Sequence, residues 1–329
     1  MTEVATDERI KEAVRHAYGD IARRFVQEPA GRRQASCCGS AKTEESEAGP
    51  AAQASCCDPA PVEGSRTTAA RASCCGPEAA VELSGADRFY AAEELADLPE
   101  TVTGASLGCG NPLAIADLKP GEVVLDLGSG GGIDCFLAAR AVGPEGRVIG
   151  LDMTPDMIKL ARRNAREIGA SNVDFRYGEM EEMPLPDGSV DVIISNCVIN
   201  LSPDKDAVFR EAYRVLRPGG RLSVSDIVVD GDLPEFIRNK LDAWAGCVAG
   251  ALDEPVYLGK IRTAGFEQVE VLARDASEVE EGTEWDEVQV IVSGIDGQEA
   301  KDRLVEAGLT PRDLAAKIAS VKVRAVKPG

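Results

Sequence analysis

The sequence predicts an α/β protein built on a doubly wound, mostly parallel sheet. Three observations carry this expectation. From Pro120 onward, short apolar runs alternate with amphipathic stretches of helix length. The first of these runs, "EVVLDLGSG", passes straight into glycines, where a parallel strand hands over to a helix. Finally, 44% of the 329 residues are apolar, enough to bury a sizeable core in one large domain or two small ones.

The elements follow in order. Residues 7–28 read as an amphipathic helix with Ile10, Val14, Ala17, Ile21 and Phe25 on one face. Residues 30–82 are rich in Ala, Ser, Gly, Pro and Glu and almost free of large apolar side chains, the composition of a flexible segment. Within them one short phrase occurs three times, as "QASCCG", "QASCCD" and "RASCCG", giving the pairs Cys37-Cys38, Cys56-Cys57 and Cys74-Cys75. After "EVVLDLGSG" comes the helix "IDCFLAARAVG", the strand "GRVIGLDM" and the helix "PDMIKLARRNAREIG". "VDFRYGEM" and "VDVIISNCVINL" read as the third and fourth strands. "DKDAVFREAYRVLRPGG" reads as a helix closed by a Pro-Gly-Gly turn, followed by the strand "RLSVSDIVV". Beyond Asp230, "LPEFIRNKLDAWAGCVAGAL" reads as a helical insertion, "VYLGKIRTAGF" as a helix, and "EQVEVLAR" and "WDEVQVIVSGI" as strands that complete the sheet. Residues 297–329 read as one or two small appended helices. The implied division is 1–85 (helix and Cys-rich flexible region), 86–230 (Rossmann-like cofactor domain) and 231–329 (acceptor-binding region, completing strands and a C-terminal extension).

Composition excludes several functions. A net charge of −20 without a basic stripe argues against nucleic acid, whose phosphates need cationic partners. No run reaches the roughly 18–20 apolar residues of a membrane span, and the charged N-terminus lacks the apolar core of a secretory signal, so a cytoplasmic location is expected. In a reducing compartment the ten cysteines are expected as free thiols, soft-ion ligands or redox groups rather than structural disulfides.

The glycine loop spells Asp126-x-Gly128-Ser129-Gly130-x-Gly132, with a second acid, Asp152, ending the second strand. The dehydrogenase spacing Gly-x-Gly-x-x-Gly fails, because it requires glycine where Ile133 stands. Loop, second acid, "GEMEEMPLPDGSVDVIISN" and "VLRPGG", in that order, resemble the class I S-adenosylmethionine-dependent methyltransferases. The resemblance implies that Asp126, Gly128, Ser129, Gly130 and Gly132 form the cofactor loop. It also implies that Asp152 and Met153 flank the ribose and adenine, Glu179 faces the adenine amino group, Met180 packs on the ring, and Asn196 lies near the methionine moiety.

Three single cysteines fall at that edge of the sheet. Cys197 ends the fourth strand, Cys109 sits between glycines in "GCGNP", and Cys247 lies in the helical insertion. They are expected to converge above the methyl donor, whereas Cys135, inside an apolar helix, is expected as a small buried hydrophobe. His16, the single histidine, is expected at the surface, and an acceptor with a bare lone pair needs no base. Soft ligands select soft centres. Zinc prefers four ligands, while trivalent arsenic takes three sulfurs and keeps a lone pair.

"LGCGNPLAIADLKPGEVVLDLGSGGGIDCFLAA", "GLDMTPDMIKLARRNA", "ISNCVINLSPDKDAVFREAYRVLRPGGRLSVSDI" and "CVAGAL" together resemble the arsenite methyltransferases. The resemblance implies that Cys197 and Cys247 hold arsenite. It implies that Cys109 serves the first methylation and joins an N-terminal thiol, Cys74 or Cys75 being nearest in sequence, in disulfide chemistry. It further implies S-adenosylmethionine as donor, arsenite as acceptor, and thioredoxin or glutathione as reductant. One departure is Leu107, where the family usually carries an aromatic residue. The three cysteine pairs are either arsenite-capturing relays or copies of a short segment of which one pair is used. A methyltransferase for carbon or oxygen of a small metabolite, and a non-catalytic thiol buffer for arsenite, are the alternative classes.

Overall fold

A computed structural model of the chain describes residues 6–27, 85–106, 108–238, 244, 247–276 and 297–329. Residues 1–28 and 83–329 form one compact unit. It opens with α1 (Asp7–Gln27) and three single-turn helices, α2 (Ala92–Leu95), α3 (Glu100–Thr103) and α4 (Leu113–Ala116). The α/β alternation follows: β1 (Val123–Leu127), α5 (Ile133–Val142), β2 (Arg147–Asp152), α6 (Pro155–Ile168), β3 (Val173–Tyr177), β4 (Val190–Asn196), α7 (Lys205–Val215) and β5 (Leu216–Val229). The remainder is α8 (Glu235–Arg238), β6 (Leu252–Asp253), α9 (Glu254–Thr263), β7 (Glu267–Ala276), α10 (Gly297–Glu306), α11 (Pro311–Ala316) and β8 (Ile318–Val326).

The sheet runs β3-β2-β1-β4-β5-β8-β7, with β6 pairing β5 off this path. The pairs among β1–β5 are parallel, and β8 lies antiparallel between β5 and β7. Apolar side chains fill both faces, as parallel strands covered by helices require. On one face Leu125, Leu127 and Ile193 pack with Phe209 of α7 and Tyr257 of α9. On the other Val124, Val148 and Ile194 pack with Phe136 of α5 and Ile158 of α6. α1 buries Ile10, Val14 and Ala22, and its Ile21 and Phe25 pack near Met157 and Leu160 of α6. Among the described residues no helix is long and apolar enough to cross a membrane.

Three readings need correction. Residues 297–329 are not helices alone, for Ile318–Val326 form a central strand that shields the edges of β5 and β7. The Pro-Gly-Gly segment does not separate helix from strand. β5 begins at Leu216, paired with Val190, and the register shifts between Val190 and Val192. In the helical insertion α8 and Trp244 are helical but residues 247–250 form turns, and residues 239–243 and 245–246 lie outside the described residues. The strand read in "WDEVQVIVSGI" and the cysteine pairs at residues 37–38, 56–57 and 74–75 lie outside the described residues.

Candidate active site

The strand order reverses between β1 and β4, and a ligand crevice opens beyond the carboxyl ends of strands at such a point. A partly open cavity lies there. Its floor is the loop Gly128–Gly131, its sides include Asp152, Met153, Met180 and Asn196, and Val14 and Tyr18 of α1 close over it. Gly130 has φ +50°, and a Cβ on it would point into open space. A side chain there would meet no protein atom but would strain the backbone and fill the cavity.

Asp152 shapes this floor. Its Oδ2 accepts from Gly130 N at 2.9 Å and its Oδ1 from Thr154 N at 2.8 Å. The Thr154 side chain also hydrogen-bonds this carboxylate, which still leaves room for a further donor. Burial raises its carboxyl above the ordinary range, and the two backbone donors oppose that rise. Ser129, also on the wall, buries an Oγ that has no hydrogen-bond partner among the described residues. An unfilled acceptor, an acid with spare lone pairs and a glycine-lined floor fit the ribose and sulfonium ends of S-adenosylmethionine.

Asn196 ties the cavity to the first thiol. Its Oδ1 accepts from Cys109 N at 3.1 Å, and its Nδ2 donates to Gly110 O at 2.8 Å, to the Tyr90 hydroxyl at 2.9 Å and to Asp134 at 3.2 Å. The amide lies so close to the loop that a Cβ on Gly108 would sit 2.3 Å from it. Tyr90 donates to Asp134 at 2.6 Å, and burial pushes the Asp134 carboxyl up to about 6. Asp134 lines the cavity.

Not every expected cofactor residue reaches the wall. Glu179 does not: Lys11 at 2.6 Å and Arg15 at 3.2 Å, both from α1, hold its carboxylate. Asp126 is buried behind the loop and accepts from the Cys135 thiol at 3.2 Å, and Gly132 turns the chain into α5. Neither lines the cavity. Cys135 is buried as expected, although its thiol also bonds an acid.

The thiols do come together, in an arrangement that differs from the one implied by resemblance. Cys109 and Cys197 form a disulfide with a Cα–Cα distance of 5.5 Å. This pair is not the implied one of Cys109 with an N-terminal thiol, whose candidates Cys74 and Cys75 lie outside the described residues. Cys247 is buried beside them, and its thiol donates to Cys197 O at 2.6 Å. Among the described residues, the Cys109 and Cys197 sulfurs and a carboxylate oxygen of Asp226 all lie within 4.8 Å of one another. Cys247 is outside that group. Cys197 (φ +60°) and Cys247 (φ +64°) both adopt the left-handed backbone that non-glycine residues avoid, a strain found at functional sites.

Charged groups surround this cluster. Burial pushes Asp226 up to about 7 and draws Lys205 down to about 8. Lys205 Nζ donates to Ser202 O at 2.9 Å and Asn200 O at 3.3 Å. Burial, then the Asp226 charge, raises the Cys247 thiol, while a hydrogen bond with Tyr18 and the Lys205 charge favour its thiolate. Sequence reasoning missed Tyr18, Tyr90, Asp134 and Asp226. Two left a signal: an acid opening an apolar helix in "IDCFLAA", and a lone acid inside the apolar strand "SVSDIVV".

Comparison with known proteins agrees with this geometry. Residues 118–293 match the family model for a methyltransferase domain, and the chain belongs to that family. It is 36% identical to the crystal structure of an arsenic(III) S-adenosylmethionine methyltransferase from Chlamydomonas reinhardtii, with a TM-score of 0.58 over 72% of this chain and 73% of that one. It is also 50% identical to the arsenite methyltransferase of Halobacterium salinarum over 62% of this chain and 52% of that protein. To the human arsenite methyltransferase it is 41% identical over 50% of this chain and 45% of that one. Within the methyltransferases, the chain therefore belongs with the arsenite methyltransferases. It spans about half the length of the curated relatives it matches.

Proposed function

We propose that the chain transfers methyl groups from S-adenosylmethionine to thiolate-bound trivalent arsenic, turning arsenite into methylated arsenicals and so detoxifying it. The observation that carries this reading is Cys197. It lines the cofactor cavity, is bonded to Cys109 and is packed against Cys247. In this reading the donor supplies an electrophilic methyl group on a sulfonium. The cavity residues hold that donor: Asp152 takes the ribose hydroxyls, the Gly128–Gly131 backbone lies under it, and Asp134 faces the amino group of its methionine end. Cys197 and Cys247, with Cys109, fix arsenic so that its lone pair faces the cavity. Proximity supplies most of the acceleration, and no proton must be removed from the nucleophile.

Methyl transfer to that lone pair oxidises arsenic by two electrons. Closing a disulfide from two thiolates returns them, and the Cys109–Cys197 bond supports such a pair at this site. A thiol reductant, thioredoxin or glutathione, then reopens it in a cytoplasmic setting. The three N-terminal cysteine pairs deliver arsenite from the 1–85 segment, residues 86–230 hold the donor, and 231–329 complete the acceptor side. The test incubates the chain with arsenite, S-adenosylmethionine and a thiol and separates the arsenic species. Methylated arsenicals are expected, and arsenite recovered unchanged while another acceptor is methylated would refute the reading.

A further inference from the structure

Tyr18 of α1 belongs to the donor side and the acceptor side at once. It lines the cofactor cavity together with Asp152 and Met153. It also packs, with Met153, against the apolar cluster of Val14, Leu201, Cys197 and Cys247. Its hydroxyl donates to the Cys247 sulfur. Two acids act on that hydroxyl by their charge: Asp152 on the donor wall, and Asp226, whose carboxylate lies within 4.8 Å of the Cys109 and Cys197 sulfurs. The helix that carries Tyr18 is seated by Ile10, Val14 and Ala22 and by partly exposed ion pairs to Glu179 and Asp156. Such pairs are individually weak, so a small change in what α1 touches alters how firmly it is seated.

Both ligands change those contacts. A donor that fills the cavity gives the Tyr18 ring and Val14 an apolar partner. On the acceptor side, the Cys247 thiol donates to Cys197 O at 2.6 Å. When arsenite takes that sulfur, the thiol proton leaves with an arsenic hydroxyl as water, and no electrons move. The sulfur gives up its donated bond, gains negative charge from its bond to arsenic, and remains an acceptor for Tyr18. A hydrogen bond to a sulfur that carries charge is stronger than one to a neutral thiol. We propose that Tyr18 is a positioning residue that couples the two sites: its ring senses an occupied donor cavity and its hydroxyl an arsenic-bound Cys247, so each ligand tightens the binding of the other. This rests on the arsenic reading above. Coupling of this kind is reciprocal, so the same factor appears in both directions. It also seats α1 most firmly when methyl donor and arsenic are present together.

The test is calorimetric titration of the chain, kept reduced with a phosphine. The chain carries Cys37→Ser, Cys38→Ser, Cys56→Ser, Cys57→Ser, Cys74→Ser and Cys75→Ser, so that the N-terminal pairs do not compete. Arsenite is titrated with and without saturating S-adenosylhomocysteine, and S-adenosylhomocysteine with and without arsenite. Each ligand is expected to tighten the other about fivefold, the lower end of ordinary coupling between sites. Tyr18→Phe keeps the ring and loses the hydroxyl. It should bind S-adenosylhomocysteine alone within about twofold of the parent, while the coupling factor falls to about one. Arsenite alone should also slow amide hydrogen exchange across residues 7–27 of the parent and not of the variant. Independent binding of the two ligands by the parent overturns the proposal without any variant, as does a Tyr18→Phe chain that binds both and keeps the factor. Should the variant bind neither ligand, exchange in the parent decides, and α1 amides that arsenite leaves unprotected overturn the proposal. Failure of the parent to bind arsenite would instead remove the arsenic reading, and this inference with it.

Discussion

Cys197 stands where two requirements meet, and its backbone shows the conflict. It must end β4 at the cofactor edge, yet its φ of +60° belongs to turns rather than strands. Its N–H donates to Ser225 O at 2.7 Å, which holds that turn against β5. The residue thus points its sulfur at Cys109 and lines the cavity at once. Asp134 shows the same economy on the donor side. Tyr90 and Asn196 fix its carboxylate, and its side chain faces the cavity. A hydrogen bond between charged groups contributes about 1.5–3 kcal/mol. Asp134→Asn should therefore weaken S-adenosylhomocysteine binding roughly ten- to hundredfold by calorimetry. The parent's affinity should also fall as pH drops through about 6, where the carboxyl takes up its proton, and the variant's should not. The same shift acts on folding. The folded carboxyl holds its proton from the ordinary 3.8 up to about 6, so it costs stability as pH rises through that window.

Two elements at opposite ends of the chain complete the site, and they differ in how far the sequence disclosed them. α1 was legible from its 3.6-residue apolar period, but its target was not. Nothing in "GEMEEM" reveals that Lys11 and Arg15, more than 160 positions away, claim the carboxylate of Glu179. Those pairs, with Arg23 on Asp156, hold Val14 and Tyr18 over the cofactor cavity. Each is partly exposed and worth about 0.2–1 kcal/mol. Lys11→Ala with Arg15→Ala should speed S-adenosylhomocysteine release by roughly two- to tenfold in rapid-mixing experiments, and added salt should produce part of that change in the parent. β1, β2 and β4 were legible because buried parallel strands are nearly unbroken apolar runs. β8 was not, because Lys322 and Arg324 alternate with Val321, Val323 and Ala325 and resemble a basic tail. Its alternation was the available signal, and its partners lie far upstream. Val323 is buried between Val224 and Val271. Val323→Asp would bury an unpaired charge and cost several kcal/mol, a large part of a typical 5–15 kcal/mol stability. Thermal unfolding should show a transition lowered by roughly 10–20 °C, or none.

At the scale of the whole molecule, the sheet separates donor and acceptor chemistry while joining them at a single strand end. The cofactor wall comes from β1, β2 and their loops, and the sulfur cluster from β4, the "GCGNP" loop and the segment around Cys247. If the three thiol pairs capture arsenite as proposed, linking them to the site raises its local concentration. Deleting residues 34–60 should therefore leave turnover at saturating arsenite unchanged and reduce it at low arsenite, as measured by the rate of arsenical formation. The disulfide imposes a sharper division. While Cys109 and Cys197 are bonded, neither sulfur is a thiolate, and on the proposed reading arsenic loses the ligand that faces the donor. The cofactor cavity keeps Asp152, Ser129 and the glycine loop in either redox state, since none of them touches the sulfurs through a bond described above. Oxidised protein, with its N-terminal cysteines replaced by serine, is therefore expected to bind S-adenosylhomocysteine normally and arsenite not at all. Adding a dithiol should restore arsenite binding without changing cofactor affinity by more than about twofold, a shift of roughly 0.4 kcal/mol. Tight arsenite binding by the oxidised chain would mean that Cys247 captures arsenic without Cys197, and the shared strand end would no longer explain how acceptor meets donor.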